Sequence, residues 1–384
     1  MPSLTLRRSP GGSRVSALRG WLTTAAACST VLVTGATWLL GHPGRNPLSE
    51  PDTVLVRHAL GTTATTWLSL VLGVVGVLAA AYGLARPTGR ATAATLVAVG
   101  IVEVVGVVVL LQSITSIALA CYLVALALPL GLAWIAVQVI RRYRRLRWVL
   151  AVALLGLAVW GAATEVLAPT HVVRLAAEVG AGFARSAPTL ALAVVTAAVA
   201  LTWTLVLVRL LAATRPVQAL GDWVLRHRTG VTIVAAAGPV PYGLIRASWL
   251  TPWPLLSPSG EVLPPEIRLW GLLLGGGAVL GAVLTIGLIR PWGVVFPRWM
   301  PRWAGRPVPE RAATVPGGLV AGILCLSAAP MLVGILLPAP GTIFGDVSLA
   351  ARLASTLIFP FWLWGPALAL AVWGYARYRR AHAR

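Results

Sequence analysis

Long apolar runs alternate with short polar connectors from Trp21 to Trp373. Ten of these runs are long enough, at about 20 residues, to cross the hydrocarbon core of a bilayer as helices. They cover residues 21–41, 62–84, 91–112, 117–140, 148–167, 189–212, 230–249, 269–289, 315–337 and 355–375. The pattern predicts an all-α polytopic transmembrane helical bundle of about ten spans. It leaves a basic tail over 1–20, a single transmembrane domain over 21–376 and a second basic tail over 377–384. Two further stretches carry apolar positions at helical spacing with charges opposite them, and both predict helices lying on the membrane surface. One is 170–186, with Val172, Leu175, Ala176, Val179 and Phe183 on one face; the other runs from Leu220 to Arg228. Arg174 and Glu178 stand one turn apart and are expected to pair.

Composition supports the bilayer. Of the 384 residues 58% are hydrophobic and 11% charged, against about 25% charged in a soluble domain. The net charge of +21 comes from arginine alone, with no lysine in the chain. These arginines sit in short clusters between apolar runs, so they set membrane orientation and do not form a nucleic-acid footprint; no nucleic-acid partner is expected. With ten spans, 24 arginines fall on the side of the termini and six on the other, and one, Arg246, falls inside a span. That asymmetry predicts a plasma-membrane protein with both termini cytoplasmic. Cys28, Cys121 and Cys325 all lie inside apolar runs, which implies neither a disulfide framework nor a metal knuckle. The Ala-Ala-Ala-Cys28 sequence looks like a lipoprotein cleavage box, but the apolar run continues past it, so an uncleaved first span is expected.

Tryptophans cluster at the predicted span ends, the pattern of an interfacial belt. The repeated Pro-Arg-Trp units place Arg298, Trp299, Arg302 and Trp303 at the cytoplasmic surface, where anionic lipid headgroups are the expected partner. Gly271/Gly275 and Gly277/Gly281 have small-xxx-small spacing, which permits close helix approach and a membrane-protein partner or a second copy.

Polar chemistry inside the spans is sparse. Pro239 and Pro241 interrupt the seventh span, each removing an N–H and disturbing the carbonyl four residues back. Backbone freed in this way must be covered by protein or face a wet cavity, and transporters place substrates at such breaks. Tyr242 and Arg246 follow on the same span, and Glu103 lies mid-way along the third. A charge at membrane depth costs about 2.5–3.5 kcal/mol on insertion scales, so both charged residues should face protein, water or a partner. Arg246 lies roughly 5 Å below the outer end of its span and Glu103 roughly 14 Å below its own. Their candidate relation is an ion pair. Glu165, near the outer end of the fifth span, is the second candidate partner for Arg246. The competing readings are an arginine snorkelling to the headgroups and a glutamic acid bonded to a neighbouring helix.

Catalytic signals are weaker. Glu50 and Asp52 in the first outer loop resemble the acidic pair of polytopic, lipid-phosphosugar-dependent glycosyltransferases. His42, His58 and His171 share the same predicted side, without metalloprotease spacing. No metal or cofactor is expected, and the reading leans away from an enzyme. The segments Pro-Tyr-Gly-Leu-Ile-Arg246-Ala-Ser-Trp-Leu-Thr-Pro-Trp-Pro and Arg290-Pro-Trp-Gly-Val-Val-Phe-Pro-Arg-Trp resemble those of uncharacterised multi-span integral membrane proteins of actinobacteria. The resemblance implies a membrane location and brings no activity. The leading expectation is a transporter or small-ligand-binding membrane protein with its site at Glu103, Pro239, Pro241, Tyr242 and Arg246. The alternatives are an accessory or scaffolding subunit and an enzyme using the outer-loop carboxylates.

Overall fold

A computed structural model describes residues 10–40, 46, 48, 55–85, 89–112, 131, 133–134, 136–138, 140–141, 146–251, 253–256, 263–298, 300, 303–338 and 347–382. Thirteen α-helices are assigned among them: α1 (Pro10–Leu40), α2 (Leu55–Ala85), α3 (Arg90–Val105), α4 (Leu146–Ala163), α5 (Pro169–Arg185), α6 (Ala187–Leu211), α7 (Arg215–Arg226), α8 (Arg228–Ala237), α9 (Val240–Ser248), α10 (Pro265–Gly287), α11 (Glu310–Leu336), α12 (Leu349–Ile358) and α13 (Phe361–His382). Eight segments are long and apolar enough to cross a membrane, which makes this a multi-pass helical membrane protein. The eight match all the expected spans but two. The fifth is the shorter apolar helix α4, and the fourth, 117–140, lies largely outside the described residues. Both stretches expected to form surface helices are helical, as α5 and α7.

The chain forms two compact units. The first holds α1, α2, α3 and α6. Here α1 and α2 run antiparallel along a seam in which large side chains of one helix meet glycines of the other. A side-chain carbon on Gly83 would stand 2.7 Å from the Trp21 ring, and one on Gly76 2.5 Å from Cys28 Sγ. The two contacts are one heptad apart on each helix, so the same face of α1 stays against α2 over two turns. After α3 the chain tightens into a π-helical turn, Gly106–Leu111, closed by the Gln112 N–H donating to the Val107 carbonyl five residues back at 2.9 Å.

The second unit holds α4, α5 and α8 to α13, with α7 from residue 219 onward. Its spans are interrupted where proline removes an N–H. Gly238 and Pro239 separate α8 from α9, and Phe359 and Pro360 separate α12 from α13. Pro316 and Pro330 sit within α11, which continues through them. The basic connector after α10 is an ordered hairpin. The Phe296 N–H donates to Arg306 O at 2.9 Å, and the Tyr375 hydroxyl of α13 donates to Gly293 O at 2.7 Å. Arg379 clasps the same hairpin through Val308 O at 2.9 Å. Trp303 stacks on Phe296, with 5.6 Å between ring centroids, and Arg298 is exposed beside them. Trp299 and Arg302 lie outside the described residues.

One expected ion pair is replaced by another. Arg174 of α5 donates to Glu266 Oε1 at 3.0 Å and not to Glu178, and His171 Nδ1 reaches the same oxygen at 2.8 Å. Glu266 opens α10, where the positive end of the helix dipole favours a carboxylate. It sits against α5 and accepts from two side chains of that helix at once, whereas Glu178 offers only a solvated neighbour along one helix. The surface helix is thereby latched to the start of a span.

Candidate functional site

The break in the seventh span forms because neither Pro239 nor Pro241 donates a backbone hydrogen bond. The Gly243 N–H restarts the ladder by donating to Pro239 O at 3.0 Å. The second break is built alike. Phe359 N–H still donates to Ser355 O at 2.9 Å, Pro360 has nothing to donate, and Trp364 N–H closes the next turn on Pro360 O at 2.7 Å. The Thr356 carbonyl, which a residue with an N–H at 360 would have satisfied, accepts from the indole Nε1 of Trp362 at 3.3 Å.

These two breaks meet. Gly238 packs directly on Trp364: a side-chain carbon at Gly238 would stand 2.5 Å from the indole Cγ. One turn on, the Tyr242 ring lies 5.1 Å from Phe359. Phe359 lies 5.8 Å from Phe361, which lies 6.3 Å from Trp364. The result is a continuous aromatic wall from four residues on both sides of two interrupted spans. Trp364 Nε1 is buried, and among the described residues it has no hydrogen-bond partner. A buried donor without a partner is costly to leave so, which marks this point as one where a further acceptor would be accommodated.

Arg246 extends the wall. Its guanidinium carbon lies 5.0 Å from the Tyr242 ring centroid and 3.9 Å from that of Trp249. The stem crosses the glycine face of α10, where a side-chain carbon on Gly275 would stand 2.8 Å from Arg246 Cβ. Gly271 similarly admits Trp249 at 3.1 Å. The first small-residue pair of α10 therefore receives α9 of the same chain. Among the described residues no carboxylate pairs with Arg246; the expected partner Glu165 is exposed, in a turn at φ 57. The guanidinium has ring faces for neighbours instead, worth about 0.5–2 kcal/mol as cation–π contacts. Arg268 faces the end of the same helix, donating to the carbonyls of Trp249 and Leu250 at 3.1 and 3.2 Å.

Glu103 belongs to the first unit and has that unit's neighbours. Its side chain is fully buried, and among the described residues neither carboxyl oxygen has a hydrogen-bond partner. Oε2 and Cys28 Sγ converge on the backbone of Gly76: a carbon added there would stand 3.3 Å from the oxygen and 2.5 Å from the sulfur. Trp203 of α6 lies against Cys28, and a side-chain carbon on Gly100, one turn before Glu103, would stand 3.0 Å from its ring. Buried polar side chains line the same unit toward the end where α2 begins: Thr65, Thr66, Ser69, Thr196, Gln112 and Asn46.

The structure thus groups Pro239, Pro241, Tyr242 and Arg246 on one interrupted span, and places Glu103 in the other unit. Phe359, Phe361 and Trp364 are not among the residues that the sequence pattern singles out, although Pro360, which stands among them, has no N–H to donate. Glu50, Asp52 and His42 lie outside the described residues, as does the side chain of His58. Among the described residues no cluster of three or more histidine, cysteine or acidic side chains could hold a metal ion. Comparison with protein-family models, curated proteins and solved structures finds no match to this chain, so its site is read from residues and geometry alone.

Proposed function

We propose that the protein is a plasma-membrane transporter or small-ligand-binding protein whose ligand occupies the meeting point of the two proline-interrupted spans. The observation that carries this reading is the packing of one break on the other, Gly238 against Trp364 and Tyr242 against Phe359. Interrupted helices place unsatisfied backbone groups and side chains together at membrane depth, an arrangement transporters use for substrates. The chemistry of the wall names a ligand class. Four aromatic rings suit an apolar or aromatic body, and Arg246, without a carboxylate partner among the described residues, suits an anionic group. Trp364 Nε1 supplies a second donor. A small aromatic carboxylate fits all three.

The test is calorimetric binding of benzoate and indole-3-acetate to the full-length protein, followed by uptake of the tighter ligand into vesicles. Binding should weaken at least tenfold in Arg246→Gln, the loss of one charge-assisted hydrogen bond of about 1.5–3 kcal/mol. It should vanish in Tyr242→Ala. Failure of both probes to bind the native protein, or unchanged binding in Arg246→Gln, would refute the reading.

A further inference from the structure

The Glu103 environment is unlike that of a structural carboxyl. A buried acid that serves packing is normally bonded to a neighbouring helix, because an unpaired polar group in an apolar interior costs several kcal/mol. Here both oxygens are buried and, among the described residues, unbonded. Glu103 stands 13 residues after the start of α3 and eight before Leu111, roughly 20 Å and 12 Å along the helix from the two ends. Among the described residues the groups facing it are few. α1 presents Cys28, the one titratable neighbour among them; α2 presents Gly76; α6 places Trp203 beside Cys28. Among the described residues no charged side chain perturbs it. Among the described residues the pocket offers too few oxygen atoms to replace the hydration shell of a metal cation, which takes six or more. The cation that such a carboxyl can hold alone is a proton.

The two directions out of the pocket differ. On one side Trp21 packs against Gly83 and meets Trp203 edge to face, with 6.1 Å between ring centroids, and Leu96 and Ala80 are fully buried. That side is closed by two indoles and carries a single buried hydroxyl among the described residues, Thr24, which donates to Gly20 O at 2.9 Å. On the other side Ser69 and Thr66 lie seven and ten residues before Gly76, on the same face of α2. Both are buried, and the Asn46 amide donates to the Thr66 hydroxyl at 2.9 Å. Each hydroxyl gives its own hydrogen to an α2 carbonyl, Thr66 at 2.8 Å and Ser69 at 2.7 Å. Glu103 is also separated from Gln112 by the π-helical turn, a geometry concentrated at functional sites. Gly106 begins that turn, and a side-chain carbon added there would stand 3.1 Å from Leu72, which lies between Ser69 and Gly76 along α2.

We propose that Glu103 is an exchangeable proton-binding site in the middle of the first unit, loaded and unloaded past Leu72 from the end that carries Ser69, Thr66 and Asn46. The proton bonds to one carboxyl oxygen on loading and leaves as hydronium to water on release, with no other bond changing. The inference is independent of the ligand site in the second unit.

The test is infrared difference spectroscopy of the full-length protein in lipid vesicles, across bulk pH and in both H2O and D2O. The expected result is a carbonyl-stretch band of a protonated carboxyl that changes with bulk pH, shifts in D2O and is lost in Glu103→Gln. Leu72→Phe should slow the D2O shift at least tenfold while leaving the band in place. Glu103→Asp, which keeps the acid, should retain a displaced band and controls for a misfolded glutamine variant. A band that never shifts in D2O would show a sealed structural proton and overturn the proposal. So would the absence of any band that depends on residue 103. An unchanged exchange rate in Leu72→Phe would overturn the route.

Discussion

Gly76 sits where three helices of the first unit need the same space. A single carbon added there meets the Cys28 sulfur at 2.5 Å and Glu103 Oε2 at 3.3 Å. The sulfur belongs to a short side chain fully buried on α1, so it cannot swing away as the end of a long one would. Gly76→Val is therefore expected to lower thermal stability in detergent micelles by an amount equivalent to about 1–3 kcal/mol, the usual cost of overpacking. Gly281 is the control: nothing lies within 4 Å of the carbon that alanine would add there. Gly281→Ala should change stability by no more than about 0.5 kcal/mol, or raise it through better helix propensity. Equal losses in both variants would mean that glycine flexibility, and not the approach of α1, sets the requirement at 76. The sequence ranks the two glycines the other way: Gly281 has the small-xxx-small spacing to Gly277 that permits close approach, yet nothing among the described residues meets it, while Gly76 carries the close contact.

At the scale of the elements, the break between α12 and α13 contains its own compensation. Pro360 leaves the Thr356 carbonyl without its helical donor, and the Trp362 indole takes that place. Trp362→Phe should cost about 0.5–1.5 kcal/mol, the net worth of one hydrogen bond. In a Pro360→Ala background the same substitution should cost close to nothing, because position 360 then donates its own N–H. A double-mutant cycle on thermal unfolding measures the difference, and additive losses would assign the tryptophan to packing alone. The breaks themselves are legible in the sequence, since a missing N–H needs no tertiary information. What packs on them is not. Pro239 and Pro360 lie more than a hundred residues apart, and the contact of Gly238 with Trp364 depends on which spans become neighbours. The same limit applies to Arg174. Spacing along one helix pointed to Glu178, while the partner that holds it, Glu266, stands at the start of another helix. Apolar run length marked most of the spans because the bilayer sets one length for all of them. It carried no information about the aromatic wall, since any apolar residue satisfies that requirement.

For the whole molecule, the threading turns on two adjacent segments. Eight long apolar segments are assigned among the described residues, and the arginine split of 24 to 6 is obtained with ten crossings, so the count turns on whether 117–140 and α4 both cross. If neither crosses, the termini still share a face, and the five arginines between 141 and 147 move to the face opposite the termini. That arrangement puts the densest basic cluster on the outer side, against the bias that orients membrane proteins. α4, at 18 residues, is near the short limit for a span, about 17. Its first turn carries Arg147, which can reach the headgroups while the apolar remainder crosses. Both segments are therefore expected to cross. Alkaline phosphatase fused after residue 145 should be inactive and a fluorescent protein at the same point bright, as for a fusion at the C-terminus. Phosphatase fused after residue 185, past α5, should be active. An active phosphatase after residue 145 with an inactive one at the C-terminus would reduce the protein to eight crossings. Opposite faces for the two termini would leave an odd number, and the arginine split would then lose its contrast.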